Sequence, residues 1–247
     1  MKRIFALVLV AVVGILLFSG IYSMEGFPRY GEAEVSERVS MSYIDKNVTR
    51  ENQEVVFGVS ENLETGSANI VTSIIVNYRS FDTLGEVTVL FVSALGVSLL
   101  FGSFEGRLRS RYKPNFILRT GSKVVFPLIL VMGAYIFIHG HLSPGGGFPG
   151  GSMIASAILL MYLADEDFRV RIDDFKKTEG IAGAMYVLLG LVGLMISNYF
   201  LSNFLDTGTV GTLFSAGIIP VVYVLVGLKV GSELTGIITD FLKGEVE

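Results

Sequence analysis

The 247-residue chain contains no cysteine and no tryptophan, and only two histidines and six prolines. Without cysteine there is no disulfide, no thiolate metal site and no cysteine nucleophile. The two histidines, His139 and His141, stand at i, i+2 with no third ligand nearby in sequence, which argues against a metal centre. Charge is scarce as well: 17% of residues are charged and the formal net charge is −4. No basic, aromatic-interleaved surface is visible, so nucleic acid is not an expected partner. No nucleophile–base cluster stands out either. The chain is therefore expected to carry no catalytic residues, no metal and no cofactor of its own.

Apolar residues, by contrast, make up 51% of the sequence, and the mean hydropathy is +0.61. The charges come in clumps, as in polytopic membrane proteins, where they are confined to loops. Six segments are long enough to cross roughly 30 Å of hydrocarbon at about 1.5 Å per residue. They are Ile4–Ser23, Thr83–Phe104, Val124–Leu142, Gly147–Ala164, Ile181–Leu201 and Thr212–Gly231, the last with room to run into the C-terminal tail. The first has some marks of a signal peptide, but its apolar run is nearer span length and it is taken as a span.

Lys2 and Arg3 precede the first span, and Arg107, Arg109, Arg111, Lys113, Arg119 and Lys123 lie between the second and third. Arg169, Arg171, Lys176 and Lys177 follow the fourth, whereas the loops Gly140–Gly146 and Ser202–Gly211 contain no Lys or Arg. The positive-inside rule then places both termini in the cytoplasm. Met24–Gly66, with nine acidic and four basic residues, becomes an outer loop. After it, Ile70, Val71, Ile74, Ile75 and Tyr78 share one helical face, opposite Asn69, Thr72, Ser73 and Asn77, so residues 68–78 are expected to form an interfacial amphipathic helix. The fold class is thus all-α: a polytopic membrane protein with about six transmembrane helices plus this interfacial helix.

The stretch "FIHGHLSPGGGFPGG", Phe137–Gly151, packs two histidines, two prolines and six glycines between oily segments. Gly145, Gly147 and Gly150 formally spell G-x-G-x-x-G, but that fingerprint needs a preceding strand, and here a membrane helix precedes it. Pro144, Gly145, Gly146, Gly147, Phe148, Gly150 and Gly151 instead suit a sharp chain reversal followed by a helix start with little side-chain bulk. Gly150, Gly151, Ser152, Ala155, Ser156 and Ala157 extend that thin face, the small-residue packing that joins helices in lipid. With few candidate helices evident in this chain, a partner subunit is the expected neighbour.

An ionisable group inside a span is costly and by default marks an ion or proton pathway. Asp82 and Glu86 form an i, i+4 pair at the outer end of the second span, with Ser93 two turns deeper on the same face. Arg79 can pair with Asp82 or anchor the interfacial helix. His141 titrates in the range a relay needs, although a His bonded to loop backbone near water is the more ordinary arrangement. Lys229 and Glu233 look like a local ion pair at the inner end of the last span, with Lys229 snorkelling. Pro127 and Pro220 are expected to kink the spans that contain them.

Two motifs carry a family resemblance. "GHLSPGGGFPGG" resembles the "GHNxPGGGFxGG" signature of the B subunits of multisubunit Mrp-type Na⁺/H⁺ antiporters, the MnhB/MrpB family. "TGSANIVTSIIVNYRSFDTLGEVTVLFVSALGV", Thr65–Val97, resembles the C-terminal part of the A subunits of the same systems. The resemblance covers most of residues 65–230. It implies a fusion: an A-like region over 1–105, a basic cytoplasmic linker over 106–123 and a B-like domain over 124–247. Such antiporter-like units also occur in archaeal membrane-bound hydrogenases, sulfane sulfur reductases and formate hydrogenlyases. The implied partners are other antiporter-like subunits, the lipid bilayer of a prokaryotic cell membrane and an attached hydrogenase or sulfur-reductase module. The resemblance also gives Glu86 a functional role, as the glutamate of "FDTLGE", and matches His141 to the motif histidine. Leu142 replaces the family's Asn, His139 stands where Arg is usual, Asn77 replaces Asp, and Ser215–Ala216 occupy a position where many B subunits carry an Asp.

The expected function is a non-catalytic membrane subunit of a cation- and proton-translocating module in the membrane arm of a respiratory complex. The alternatives are a purely structural subunit and a stand-alone secondary transporter. The six spans show no convincing internal repeat of the kind carriers are built from.

Overall fold

The computed structural model describes residues 2–22, 39–46, 55–101 and 114–244. The basic residues Arg107, Arg109, Arg111 and Lys113, and residues 24–38 and 47–54 of the Met24–Gly66 loop, lie outside them. Among the described residues all regular structure is helical. In hydrocarbon a helix satisfies every backbone N–H and C=O within its own segment, so long apolar runs adopt it regardless of modest β-branched content.

The chain divides into residues 1–41 and 42–247. The first unit holds α1 (Lys2–Tyr22), whose side chains from Leu7 to Tyr22 are all exposed. A short α2 (Val39–Ile44) runs across the division. In the second unit, α3 (Ile70–Thr72) continues directly as a π-helical turn, Ser73–Tyr78. Then follow α4 (Ser80–Phe101), α5 (Phe116–Ile138), α6 (Gly147–Ala164), α7 (Ile172–Ser197) and α8 (Ile219–Gly244). The last five are each long and apolar enough to cross a membrane, and α1 contributes the shorter apolar stretch Leu7–Tyr22.

α8 is the hub, packing against α4, α6 and α7, while α6 also lies along α5. Val222, Val226 and Val230 of α8 share a buried core with Val76, Val87, Tyr186 and Leu201. The opposite arrangement holds on α4 and α5, where Val89, Val92, Leu99, Leu128 and Val131 are exposed. In lipid those side chains are on the solvent side.

Several boundaries differ from the hydropathy reading, each for a local reason. α8 starts at Ile219 rather than Thr212, because Ala216 and Gly217 adopt left-handed φ of 68° and 61° and form a turn. Pro220 therefore occupies the second helical position, where its missing N–H breaks no bond, and it does not kink the helix interior. Pro127, by contrast, does lie inside α5. α7 begins at Ile172, nine residues before the apolar run at Ile181, so its charged first two turns are helical as well.

The interfacial segment keeps the two expected faces and turns the polar one inward. Thr72, Ser73 and Val76 are buried, whereas Val71, Ile74, Ile75 and Tyr78 are exposed. The break before α4 falls at Arg79, with φ −125° and ψ 35°.

Candidate functional site

The glycine stretch builds a junction at one end of the helices. Gly145 (φ +157°) and Gly146 (φ +134°) reverse the chain after α5, and α6 starts at Gly147. The packing partners are α5 and α8 of the same chain, which corrects the expectation of a partner subunit. A Cβ on Gly150 would come within 2.7 Å of the Gly133 carbonyl oxygen of α5. One on Gly151 would come within 2.8 Å of the Gly227 carbonyl oxygen and the Gly231 nitrogen of α8. Phe137 in turn lies over Gly227, where a Cβ would meet its ring at 2.5 Å. Sequence reasoning finds the small face of α6 but not the matching glycines at 133, 227 and 231, each of which looks unremarkable on its own helix. Phe148 packs on the edge of the core, and Pro144 stays exposed at the tip of the turn.

The two sequence motifs meet at this junction. The Asn69 side chain donates to the carbonyls of Gly140 and Ser143, both at 3.0 Å, while its Oδ1 accepts from Val71 N and caps α3. Ser67 Oγ donates to the His141 carbonyl at 2.8 Å, and Thr72 Oγ1 to that of Gly140 at 2.7 Å. Tyr223 of α8 completes the set by donating to Thr72 Oγ1 at 2.9 Å. Thr72 faces inward because its hydroxyl is bonded on both sides there, donating to the Gly140 carbonyl and accepting from Tyr223, as a buried hydroxyl requires.

His141 is fully buried here. Its ring faces the Thr212 and Leu213 carbonyls, but neither ring nitrogen closes a well-formed hydrogen bond. Burial pushes its pKa below the ordinary histidine value, against the pull of those carbonyls. The imidazole is neutral at neutral pH, and its backbone helps hold the junction.

The sequence-predicted acidic stripe lies on α4. Asp82 pairs with Arg79, an i, i+3 ion pair across the helix start. Asp82, Glu86 and Ser93 are all exposed, and Ser93 Oγ donates to its own helix at Val89 O, 2.9 Å away. Gly85, beside Glu86, has open space around it. The stripe is thus an open surface of this chain and is not joined to His141 by any described contact.

A second ionic group is enclosed, and the sequence shows only part of it. Lys229 and Glu233 of α8 form an ion pair, and Lys229 Nζ also lies 4.0 Å from Glu179 of α7. Side-chain exposure is 10% for Lys229, 0% for Glu233 and 16% for Glu179, so Lys229 does not snorkel. Because α8 extends to Gly244, the pair lies near the middle of the helix and not at its end. The Phe91 ring of α4 covers the ammonium, with Nζ 5.0 Å from the ring centroid. Further along, Ser98 of α4 donates to Asp240 of α8 at 2.5 Å. Hydropathy puts Glu179 in a loop because α7 opens with the polar run "IDDFKKTEG". The usable signal is the Lys229–Glu233 spacing, since an ion pair inside an apolar run needs further polar company.

At the same end as Asp240, Asp165 caps α6 and binds Arg119 at 3.0 Å and Lys123 at 2.9 Å. The Lys123 hydrogen bond, the Asp167 N–H and the two positive charges hold its pKa below the ordinary carboxylate value, despite burial. Among the described residues no His/Cys/Asp/Glu group is arranged to hold a metal ion.

Comparison with known proteins agrees with this architecture. Residues 117–236 match the family described as a domain related to the MnhB subunit of Na⁺/H⁺ antiporter, and residues 33–115 match the MbhE family, described as the E subunit of MBH. An uncharacterised protein of Methanocaldococcus jannaschii is 32% identical over 68% of this chain and 74% of its own length. The B subunit of the Na⁺/H⁺ antiporter of Alkalihalophilus pseudofirmus is 35% identical; the match covers 37% of this chain and 66% of that protein. Among solved structures, a chain of the membrane-bound sulfane sulfur reductase, an archaeal respiratory membrane complex, superposes with a TM-score of 0.74. It is 40% identical, and the match covers 98% of both chains.

Proposed function

The chain belongs to the family of MnhB-related antiporter subunits, and from that membership we propose that it serves a Na⁺/H⁺-translocating module as a non-catalytic subunit. It is a multi-pass prokaryotic membrane protein that works within a multisubunit membrane complex. The full-length likeness to a sulfane sulfur reductase chain favours a respiratory complex over a free-standing antiporter. The two matches, over 33–115 and 117–236, support a chain of two parts, the second of them B-like. The absence of Lys and Arg from the Gly140–Gly146 loop supports placing the glycine junction outside and the Asp165 end in the cytoplasm.

The observation that carries the mechanistic reading is Glu86: a carboxylate within a span, on the open face of α4. Facing lipid, an ionisable side chain is expensive, and such groups turn toward a bundle interior or a water-filled cavity. A neighbouring subunit seated on α4 supplies that interior, so Glu86 lines an ion path at a subunit boundary, with Asp82 and Arg79 at its mouth and Ser93 deeper along it. His141 acts from the buried junction as a positioning group. The test is Na⁺-dependent proton movement in vesicles holding the intact complex. Glu86→Gln keeps the shape and cannot ionise, so the complex assembles and exchange collapses. Glu86→Asp retains part of it, and Asp82→Asn does less damage because Asp82 is nearer bulk water. Normal exchange by an assembled Glu86→Gln complex would leave only a structural role.

A further inference from the structure

The enclosed trio carries an inference independent of Glu86. Two acids and one base, Glu179, Glu233 and Lys229, stand within an apolar bundle, leaving one excess negative charge when all are ionised. Burying ions requires pairing and full hydrogen bonding, and an unbalanced buried charge is strongly destabilising. The hydrogen bonding is also incomplete: Glu233 Oε2 is enclosed and receives no donor from the protein. Lys229 Nζ stands between the two acids, 4.0 Å from Glu179 and paired with Glu233, so the carboxyls share one cation and interact side chain to side chain.

Both features are resolved by the same addition, and we propose that Glu179 and Glu233 bind one proton between them, which makes a neutral site with Lys229. The proton sits on one carboxyl and is donated to the other, so Glu233 Oε2 gains the partner it lacks and the charges sum to zero. Lys229 contributes the balancing charge and, held by Phe91, is fixed against Glu233.

The site has an entrance. A cleft of about 300 Å³ between α4, α7 and α8 is lined by Phe91, Leu95, Ser98, Phe175, Glu179 and Glu233. Glu179, with a side chain 16% exposed against 0% for Glu233, is the more accessible acid of the cleft and so receives the proton first. Other charges near the trio are few. Lys176 of α7 is exposed at the mouth of the cleft and acts on Glu179. Asp240 of α8 is bonded to Ser98. α4 contributes no charge below Glu86, and α6 contains no charged residue. The Arg119 and Lys123 charges of α5 are directed to Asp165. Lys177 of α7 is exposed like Lys176, and among the described residues Lys229 is the base recorded in an ion pair with Glu179 or Glu233.

Infrared difference spectroscopy of the full chain in its complex, in lipid nanodiscs at neutral pH, tests this. The wild type should show a carboxylic-acid C=O band that shifts in D₂O. Glu179→Gln and Glu233→Gln should each abolish it, whereas Glu179→Asp should move it without loss, which guards against a merely misfolded Gln variant. Lys229→Met removes the balancing charge, so both acids protonate and the band grows. Absence of the band in the wild type, or its persistence in both Gln variants, overturns the proposal. Neither result depends on ion exchange, so failure here is distinct from failure of the Glu86 reading.

Discussion

Asp82–Glu86 on α4 and Lys229–Glu233 on α8 have the same i, i+4 spacing inside apolar helices, yet one pair lies on an open face and the other is sealed. The difference comes from neighbours and not from the pairs themselves. Around α8, three helices close in, and small residues let them approach: Gly227 and Gly231 meet Gly151 backbone to backbone. Around α4 the glycines at 85 and 96 meet nothing within 4 Å. A close-packed helix completes its ionic group within the chain, whereas on an open one the charges stay exposed. Identical sequence spacing thus encodes an enclosed ionic group in one place and an open acidic stripe in the other.

The strongest way to break the contrast is to crowd each side. Gly151→Leu forces a side chain into the Gly227 and Gly231 backbone and should destabilise the chain itself by about 3 kcal/mol or more, at the upper end of overpacking costs. A thermal melt of the detergent-purified chain checks this. Asn69→Ala, which removes the amide donor to the Ser143 carbonyl and one of the two donors to the Gly140 carbonyl and uncaps α3, should cost about 1–2 kcal/mol. Gly85→Leu on the open face should stay within about 0.5 kcal/mol of wild type in the same melt, as surface substitutions do. It should nevertheless lower the yield of assembled complex on co-purification. Equal effects of Gly151→Leu and Gly85→Leu in the isolated chain would erase the distinction.

The smallest effects are in pH dependence. His141 is held below its ordinary pKa by burial, so the unfolded chain binds more protons below about pH 6.5. Stability is therefore complete above that pH and is lost as pH falls toward the folded value. His141→Gln should flatten the slope in that window. Asp165 is held below the carboxylate range chiefly by Lys123. Its contribution is present above the unfolded carboxylate pKa and is lost as pH falls through the lower folded one; Asp165→Asn should remove that acid-side loss.

The helical architecture, the thin α6 face and the polar intrusion of "FDTLGE" are legible in the sequence because each is written locally, as hydropathy, small residues or one acid in an apolar run. What is not legible depends on distant residues. Glu179 becomes part of a buried trio only because α7 extends nine residues below its apolar run and lies against Lys229. The fit of Gly151 to Gly227 and Gly231 joins residues some eighty positions apart. The start of α8 is displaced because left-handed Ala216 and Gly217 use up residues that hydropathy assigns to it. The inward turn of Thr72 follows from the Gly140 carbonyl of a loop nearly seventy residues away.

What covers α4 decides whether an ion path can run past Glu86. The chain has no cysteine, so a single Ser93→Cys can carry a thiol-coupled photocrosslinker without background. Irradiated within native membranes, position 93 should form an adduct with another protein subunit, and Glu86 then faces a subunit boundary. If it yields lipid adducts alone in the fully assembled complex, α4 faces the bilayer and the ion path does not run along this stripe.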